Sequence, residues 1–159
     1  LILSLMFIVT LSPNVVMSET VKYEDLVERD GLYYKKFSDV PFTGKTTGKV
    51  QGTFKNGKKD GPYEQYWENG QLFLKTNYKD GKRDGPYIRY YDNGRLSSKG
   101  KQKDGKQEGP HVTYHRNGQL QTKGTYKDGK KEGPWVWHKK DGSAVEKYTG
   151  TFKNGVKVK

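Results

Sequence analysis

The chain has 159 residues, the size of one domain, which excludes a large multidomain enzyme. Lysine and arginine number 30 against 18 acidic residues, giving a formal net charge of +12, and the absence of cysteine excludes disulfides, thiolate metal sites, a cysteine nucleophile and a lipid carried on cysteine. Only 31% of the residues are hydrophobic, so a thick aliphatic core is excluded. Of 6 Phe, 3 Trp and 12 Tyr, only Phe7 precedes residue 19, and aromatic rings must therefore build most of the core.

Residues 1–18 are predicted to be a secretory signal peptide. They carry no charge and contain an apolar run, a Pro-Asn break and small residues around Val16 and Ser18. An uncleaved anchor is the alternative, but the apolar run is shorter than the roughly 20 residues that a membrane-spanning helix needs. We therefore expect export to the periplasm or the cell exterior, with no integral membrane span in the mature chain.

Residues 19–43 form a divergent entry segment, and they are the most acidic part of the chain. Within this segment, residues 19–29 are the only stretch that is predicted to allow a short helix. The repeats beyond residue 60 carry most of the positive charge, since residues 61–159 contain 21 basic and 11 acidic residues.

The rest of the chain, residues 44–159, is an internal repeat. Gly-Pro begins at positions 61, 85, 109 and 133, a spacing of 24, and 13 of 24 positions are identical between 61–84 and 109–132. Each unit also contains Asn-Gly or Asp-Gly, at 69, 93, 117 and 141, and Lys-Asp-Gly-Lys follows at 79, 103 and 127. The predicted units lie near 44–60, 61–84, 85–108, 109–132 and 133–159, and the last has a two-residue insertion after Lys147.

The turn signals predict hairpins. Asn-Gly between aromatic runs favours a two-residue type I′ turn, and Lys-Asp-Gly-Lys supplies the return turn. Strands of about six residues then form a continuous antiparallel meander, with the proline of Gly-Pro at the first residue of a strand. The predicted fold is all-β: an elongated single sheet of β-hairpins with a 24-residue period.

The predicted pairing divides the side chains between two faces of the sheet. With a two-residue Asn-Gly loop, residues 67 and 72, 65 and 74, and 63 and 76 lie opposite each other. One face then collects the bulky residues Tyr63, Trp67, Leu72, Leu74, Tyr78, Tyr87, Tyr91, Leu96, His111, His115, Leu120, Tyr126, Trp135 and Ala144. The other face carries a column of Tyr66, Tyr90, Tyr114 and His138 and a column of Lys75, Lys99, Lys123 and Lys147. Longer loops would invert this assignment.

The recurring pattern Gly-Pro-Tyr-x-x-Tyr-aromatic-x-Asn-Gly-x-Leu, followed by Lys-x-x-Tyr-Lys-Asp-Gly-Lys, resembles the MORN repeat in its bacterial variant form. Together with Asp-Gly-Leu-Tyr-Tyr at 30–34 and Pro-Phe-Thr-Gly at 41–44, it resembles the YwqK family, a group labelled as antitoxins of toxin–antitoxin systems. The resemblance covers about residues 26–158 and departs from the pattern at 95–103 and at the insertion. It implies an open array of hairpins that binds proteins, serves as a scaffold or contacts acidic phospholipids.

No catalytic, metal or cofactor site is predicted. His111 and His115 lie about 13 Å apart on one strand, too far to share a metal, and His138 takes a place in the tyrosine column. The recurring carboxylates belong to turns or precede Gly-Pro, and Lys-Asp-Gly-Lys has too few oxygen ligands for calcium. Serines 97, 98 and 143 have no recurring His-Asp partners.

The candidate binding face combines the tyrosines Tyr66, Tyr90 and Tyr114 with the lysines Lys75, Lys99, Lys123 and Lys147. Rings beside evenly spaced cations suit a protein partner or an anionic lipid or polymer surface. The alternative is a tyrosine stripe that only stabilises the sheet, beside solvated lysines. We expect a non-enzymatic binding or scaffold protein, with an antitoxin that neutralises a cognate toxin as the alternative. Nucleic acid is not an expected partner of an exported protein, and the oligomeric state stays open.

Overall fold

A computed structural model of the protein describes residues 18–159, so the predicted signal peptide lies outside the described residues except for Ser18. The strands, in chain order, are β1 (Glu19–Lys22), β2 (Leu26–Arg29), β3 (Leu32–Lys35), β4 (Gly44–Thr47), β5 (Val50–Lys55), β6 (Lys58–Tyr66), β7 (Leu72–Lys79), β8 (Lys82–Tyr90), β9 (Leu96–Lys103), β10 (Lys106–Gln107), β11 (Gly109–Tyr114), β12 (Leu120–Lys127), β13 (Lys130–Trp137), β14 (Gly150–Lys153) and β15 (Val156–Lys157).

The prediction of an all-β sheet of hairpins is confirmed. A 13-stranded sheet runs in the order β1-β4-β5-β6-β7-β8-β9-β11-β12-β13-β14-β15, with β10 also paired to β9. Every neighbouring pair from β4 onward is antiparallel, so the repeat region is a meander. No helix in the described part of the chain has the length and apolarity to cross a membrane.

The entry segment differs from the prediction in two ways. Residues 19–29, the stretch that could have allowed a short helix, form β1, a single 3₁₀ turn at Tyr23–Asp25 and β2 instead. β1 also breaks the predicted antiparallel order, because it runs parallel to β4 at the edge of the sheet. β2 and β3 form a separate two-stranded hairpin, whose Tyr33 ring lies 5.1 Å from the Phe54 ring in an edge-on contact. This hairpin therefore covers the first rings of the array.

The type I′ turn lies at Lys-Asp-Gly-Lys and not at Asn-Gly, where it was predicted. Asp80 (φ 48°) and Gly81 (φ 82°) both have positive φ, so Lys-Asp-Gly-Lys forms the two-residue type I′ turn. At Asn69-Gly70 only the glycine has positive φ, at 80°. Gly70 N donates a hydrogen bond to Trp67 O, and Trp67 N donates one to Gln71 O. The Asn-Gly loop is thus a three-residue turn that ends in a left-handed glycine.

The longer Asn-Gly turn corrects the predicted register only near the turn. Residues 63 and 76, and 65 and 74, lie opposite each other as predicted. Position 67 does not pair with 72, because a bulge places Leu72 opposite Tyr66. The bulge absorbs the extra loop residue, so the faces predicted for the middle of the strands do not invert.

The prolines also lie elsewhere than predicted. Pro62 is the fifth residue of β6 rather than its first. A bulge in β6 explains why the proline is tolerated. Between the pairs Gly52–Tyr63 and Phe54–Lys59, β5 has one residue where β6 has three, and Pro62 is one of those three. At such a bulge the backbone of Pro62 does not have to donate a hydrogen bond to the neighbouring strand.

The core is a layer of rings on one face of the sheet, as the composition requires. The buried apolar residues are Phe42, Val50, Phe54, Tyr63, Leu74, Tyr87, Trp135 and Phe152. Rings of successive hairpins touch, as where Tyr126 meets Trp135 at 4.8 Å between centroids. Such edge-on pairs add stabilisation beyond burial.

Hydrogen bonds one repeat apart tie the hairpins together. The side chains of Trp67, Tyr91 and His115 occupy equivalent positions, and each bonds a backbone carbonyl of the next unit, at Tyr90, Tyr114 and His138. The array is therefore stabilised by nearest-neighbour contacts, as in other repeat proteins.

Candidate binding face

The face opposite the core rings carries a row of side chains that crosses seven consecutive paired strands. The backbone register places each member directly beside the next. This central row consists of Glu64, Lys75, Ile88, Lys99, Val112, Lys123 and Val136. Lysines alternate with Ile or Val, because the lysine comes from the second strand of each hairpin and the branched residue from the first.

Two further rows flank the central row on the same face, since residues two apart on a strand share a face. The proline row lies two residues before it and consists of Pro62, Pro86, Pro110 and Pro134, all exposed. The tyrosine row lies two residues after it and consists of Tyr66, Tyr90 and Tyr114, all half-buried. The candidate tyrosines and three of the four candidate lysines therefore lie together on one face.

The fourth candidate lysine, Lys147, is separated from this face. It lies in the irregular segment between β13 and β14, and its ammonium stands 5.6 Å from the centroid of the Tyr148 ring. The two-residue insertion lengthens this segment, and β14 begins only at Gly150. His138 keeps its place in line with the tyrosine row and pairs with Ala144 through an isolated bridge.

An elongated groove occupies this face between the proline and central rows. It has a volume of about 1020 Å³ and extends toward the first unit in a smaller cavity of about 310 Å³ that shares Pro86, Tyr87 and Ile88 with it. The groove is lined mainly by apolar atoms and is flanked by lysines. Its lining residues are Pro86, Tyr87, Ile88, Lys99, Gly100, Lys101, Pro110, His111, Val112, Lys123, Gly124, Thr125, Pro134 and Val136.

The first unit differs electrostatically from the others. Glu64 stands where later units have Ile88 and Val112, and its carboxylate lies 2.8 Å from the ammonium of Lys75. The hydroxyl of Tyr66 donates a second bond to it at 2.6 Å. The bond from Lys75 lowers the pKa of Glu64, and the same bond raises the pKa of Lys75. The charge of Lys75 is therefore already neutralised within the protein.

Lys99, Lys101 and Lys123 line the groove without such a partner. All three are exposed, and none forms an ion pair with a carboxylate within residues 18–159. The groove thus offers positive charge that the described part of the chain does not neutralise.

The opposite face has its own cations, which the sequence analysis missed. The ammonium of Lys59 lies within 5.4 Å of the ring centroids of Tyr33, Tyr63 and Tyr78, and Lys131 lies within 5.0 Å of three further rings. Burial lowers the pKa of both lysines. A sequence signal for these two lysines does exist: each lies two residues before a Gly-Pro, and they are three repeat lengths apart. These cations cover core rings and are not available to a ligand.

The histidines are placed in the ring layer and in the contacts between repeats. His111 Nδ1 lies 2.9 Å from the Tyr87 hydroxyl, and its ring contacts Tyr126 at 5.2 Å between centroids. Burial lowers the pKa of His111, and the nearby charge of Arg89 adds to the effect. Within residues 18–159 there is no group of three or more histidines and carboxylates arranged to hold a metal ion.

This geometry defines a class of protein: an open array of β-hairpin repeats, with one face filled by rings and the other face free. Residues 59–80, 83–104 and 107–128 match the family model described as MORN repeat variant. Over these three repeats, the central part of the chain is similar to MORN repeat variants. Proteins with such repeats are generally non-catalytic, and the repeats suggest a binding or scaffold role. No curated protein matches the chain.

Proposed function

We propose that the protein is an exported, non-enzymatic scaffold that binds a protein or an anionic envelope component through the groove face. The observation that carries the proposal is the apolar groove flanked by Lys99, Lys101 and Lys123, whose charges have no carboxylate partner within residues 18–159. The aromatic face is occupied in building the core, which leaves the groove face for a ligand. Export is inferred from the signal-type sequence of residues 1–18.

The second candidate is an antitoxin-type protein of the YwqK family that neutralises one cognate toxin. The apolar lining of the groove favours a protein partner, which supports this alternative as well as a scaffold. The two candidates differ in the number of partners and in the compartment where the partner is found.

The test is recovery of partners on the tagged protein and on two charge-matched variants. One variant carries Lys99→Gln and Lys123→Gln on the groove, and the other carries Lys79→Gln and Lys127→Gln at strand ends next to the turns. Envelope and cytosolic extracts are applied at low and at high salt, and the bound protein and lipid are identified by mass spectrometry.

The proposal expects envelope protein or anionic lipid to be retained by the wild type and the control variant and lost from the groove variant. Equal recovery on all three proteins would contradict it. Recovery of a single cytosolic protein, resistant to salt, would favour the antitoxin-type candidate instead.

A further inference from the structure

We propose that the groove takes an extended, acidic segment of a partner protein, laid across the strands with a carboxylate at every third residue. This inference rests on the proposed function, in that the groove face is taken as the binding surface. It adds the chemistry, the conformation and the spacing of the occupant.

The spacing follows from the repeat. Equivalent residues such as Val112 and Val136 stand two strands apart, which is about 9.6 Å. Three residues of a polyproline-type chain span about 9.3 Å and complete one turn, so every third side chain returns to the same side and the segment keeps its register along the groove. Seven residues of an α-helix span about 10.5 Å and lose about 1 Å of register at each repeat. The repeat therefore favours an extended segment.

The lining selects an amphipathic occupant. Ile88, Val112 and Val136 alternate with Lys99 and Lys123 in the central row, and the prolines border the apolar side. A pure polyanion would pair with the lysines but would leave the branched side chains and prolines in water. A segment with two apolar residues between successive carboxylates covers both, which buries apolar surface and neutralises the charges together.

Glu64 shows where a carboxylate of such a segment would bind. Glu64 occupies the position that Ile88 and Val112 occupy in the next two units, and its carboxylate contacts the ammonium of Lys75 and the hydroxyl of Tyr66. In those two units, the corresponding lysines have no carboxylate partner among residues 18–159. The lysine of the first unit is therefore already paired with a side chain of the protein, and the larger part of the groove begins at Pro86.

The same comparison supplies the test variants. Val112→Glu copies the first unit into the groove, because Val112 lies opposite Lys123 as Glu64 lies opposite Lys75, with Tyr114 in the place of Tyr66. The fold already accepts glutamate at this position, so the variant is expected to fold. Glu64→Val is the reciprocal change, which opens the first unit and frees Lys75.

The probes are two synthetic peptides of 12 residues. One repeats Asp-Val-Pro four times, and the other has the same composition with its four aspartates adjacent. Binding to the purified protein is measured by calorimetry at low salt, and thermal unfolding confirms that each variant is folded. Vesicles with 30% anionic lipid are assayed in parallel.

We expect the periodic peptide to bind at least tenfold more tightly than the clustered one. Val112→Glu should weaken it at least tenfold, and Glu64→Val should leave it as tight or tighter. Equal affinity for the two peptides, or no effect of Val112→Glu, would overturn the inference. Vesicle binding that is lost in the Lys99→Gln, Lys123→Gln variant, with no binding of either peptide, would also overturn it while leaving the proposed function intact. If the protein bound neither peptide, no vesicles and nothing from the extracts, both this inference and the proposed function would be overturned.

Discussion

At the scale of single residues, the fold depends on glycines that lie under rings. Gly124 pairs with His111 across the hairpin and lies beneath the indole of Trp135, which is 2% exposed. A β-carbon built on Gly124 would lie 2.1 Å from that indole, and one built on Gly52 would lie 2.8 Å from the Tyr63 ring. These glycines therefore make room for rings, since neither has positive φ.

Gly124→Ala should destabilise the protein. The added methyl group must displace Trp135 from its buried position, and overpacking of this kind costs about 1–3 kcal/mol. Urea unfolding followed by tryptophan fluorescence measures the loss. Thr125→Ala, one residue further on the opposite face, should change the free energy of unfolding by less than about 0.5 kcal/mol. Equal effects of the two substitutions would show that Trp135 does not pack on Gly124.

His111 should make stability depend on pH. Burial keeps its pKa below the ordinary value of 6.5, so the folded state resists protonation. As the pH falls through the unfolded value near 6.5, the unfolded state gains a proton that the folded state does not. The free energy of unfolding therefore declines until the pH reaches the lowered folded pKa. His111→Tyr, which restores the ring found at Tyr63 and Tyr87, should reduce the difference between urea midpoints at pH 8 and pH 5.5.

An unchanged difference in the His111→Tyr variant would contradict the buried, neutral state of this histidine. His115 and His138 remain in both proteins and so cancel from the comparison.

At the scale of the elements, the strands of the hairpins could be predicted from the sequence, but the type of one turn could not. The 24-residue period and the common face of Lys75 and Lys99 with the tyrosine column were predictable from the sequence, because turn residues and a two-residue side-chain period report on strands directly. The turn type at Asn69-Gly70 could not be predicted from the sequence. The Asn69 side chain accepts from Gln71 N and donates to Asp92 O, so asparagine is used there as a cap between repeats rather than for positive φ.

Contacts outside the repeat were not predictable for a different reason. The entry hairpin and the parallel strand β1 have no second copy in the chain with which to compare them, and their positions depend on Tyr33 packing on Phe54. Lys147 lies off the binding face because it falls in the irregular segment between β13 and β14, and only the structure shows where that segment ends. The half-buried Lys59 looked like any solvated lysine, since pattern alone does not report a side chain folded over rings.

The bonds between repeats can be tested at Tyr91. Its hydroxyl donates to Tyr114 O at 2.7 Å, across to the next unit. Tyr91→Phe removes this bond and should lower the free energy of unfolding by about 1 kcal/mol. Tyr114→Phe is the matched control, because within residues 18–159 the Tyr114 hydroxyl forms no hydrogen bond like those of Tyr66 and Tyr91, and the change should have little effect. Thermal unfolding of both variants decides the matter, and equal losses would contradict a role for Tyr91 in joining the units.

At the scale of the whole molecule, the two faces of the sheet divide the work. One face packs rings, half-buried cations and glycines into a layer that replaces the missing aliphatic core. The other face presents the groove, and from the second unit onward its lysines have no carboxylate partner in the part of the chain that the structure describes. A single array of hairpin repeats thus combines a stable sheet with an elongated charged surface, and each added repeat lengthens that surface by about 10 Å.

The most direct measurement of this division is a lysine acetylation footprint of the protein, alone and in envelope extract, read by mass spectrometry. Lys59 and Lys131 should react slowly in both samples, because they are folded over core rings. We predict that the extract protects Lys99 and Lys123 and leaves Lys127, an exposed lysine beside a turn, as reactive as before. Protection of Lys127, which lies outside the groove, with full reactivity at Lys99 and Lys123 would contradict the groove as the binding surface.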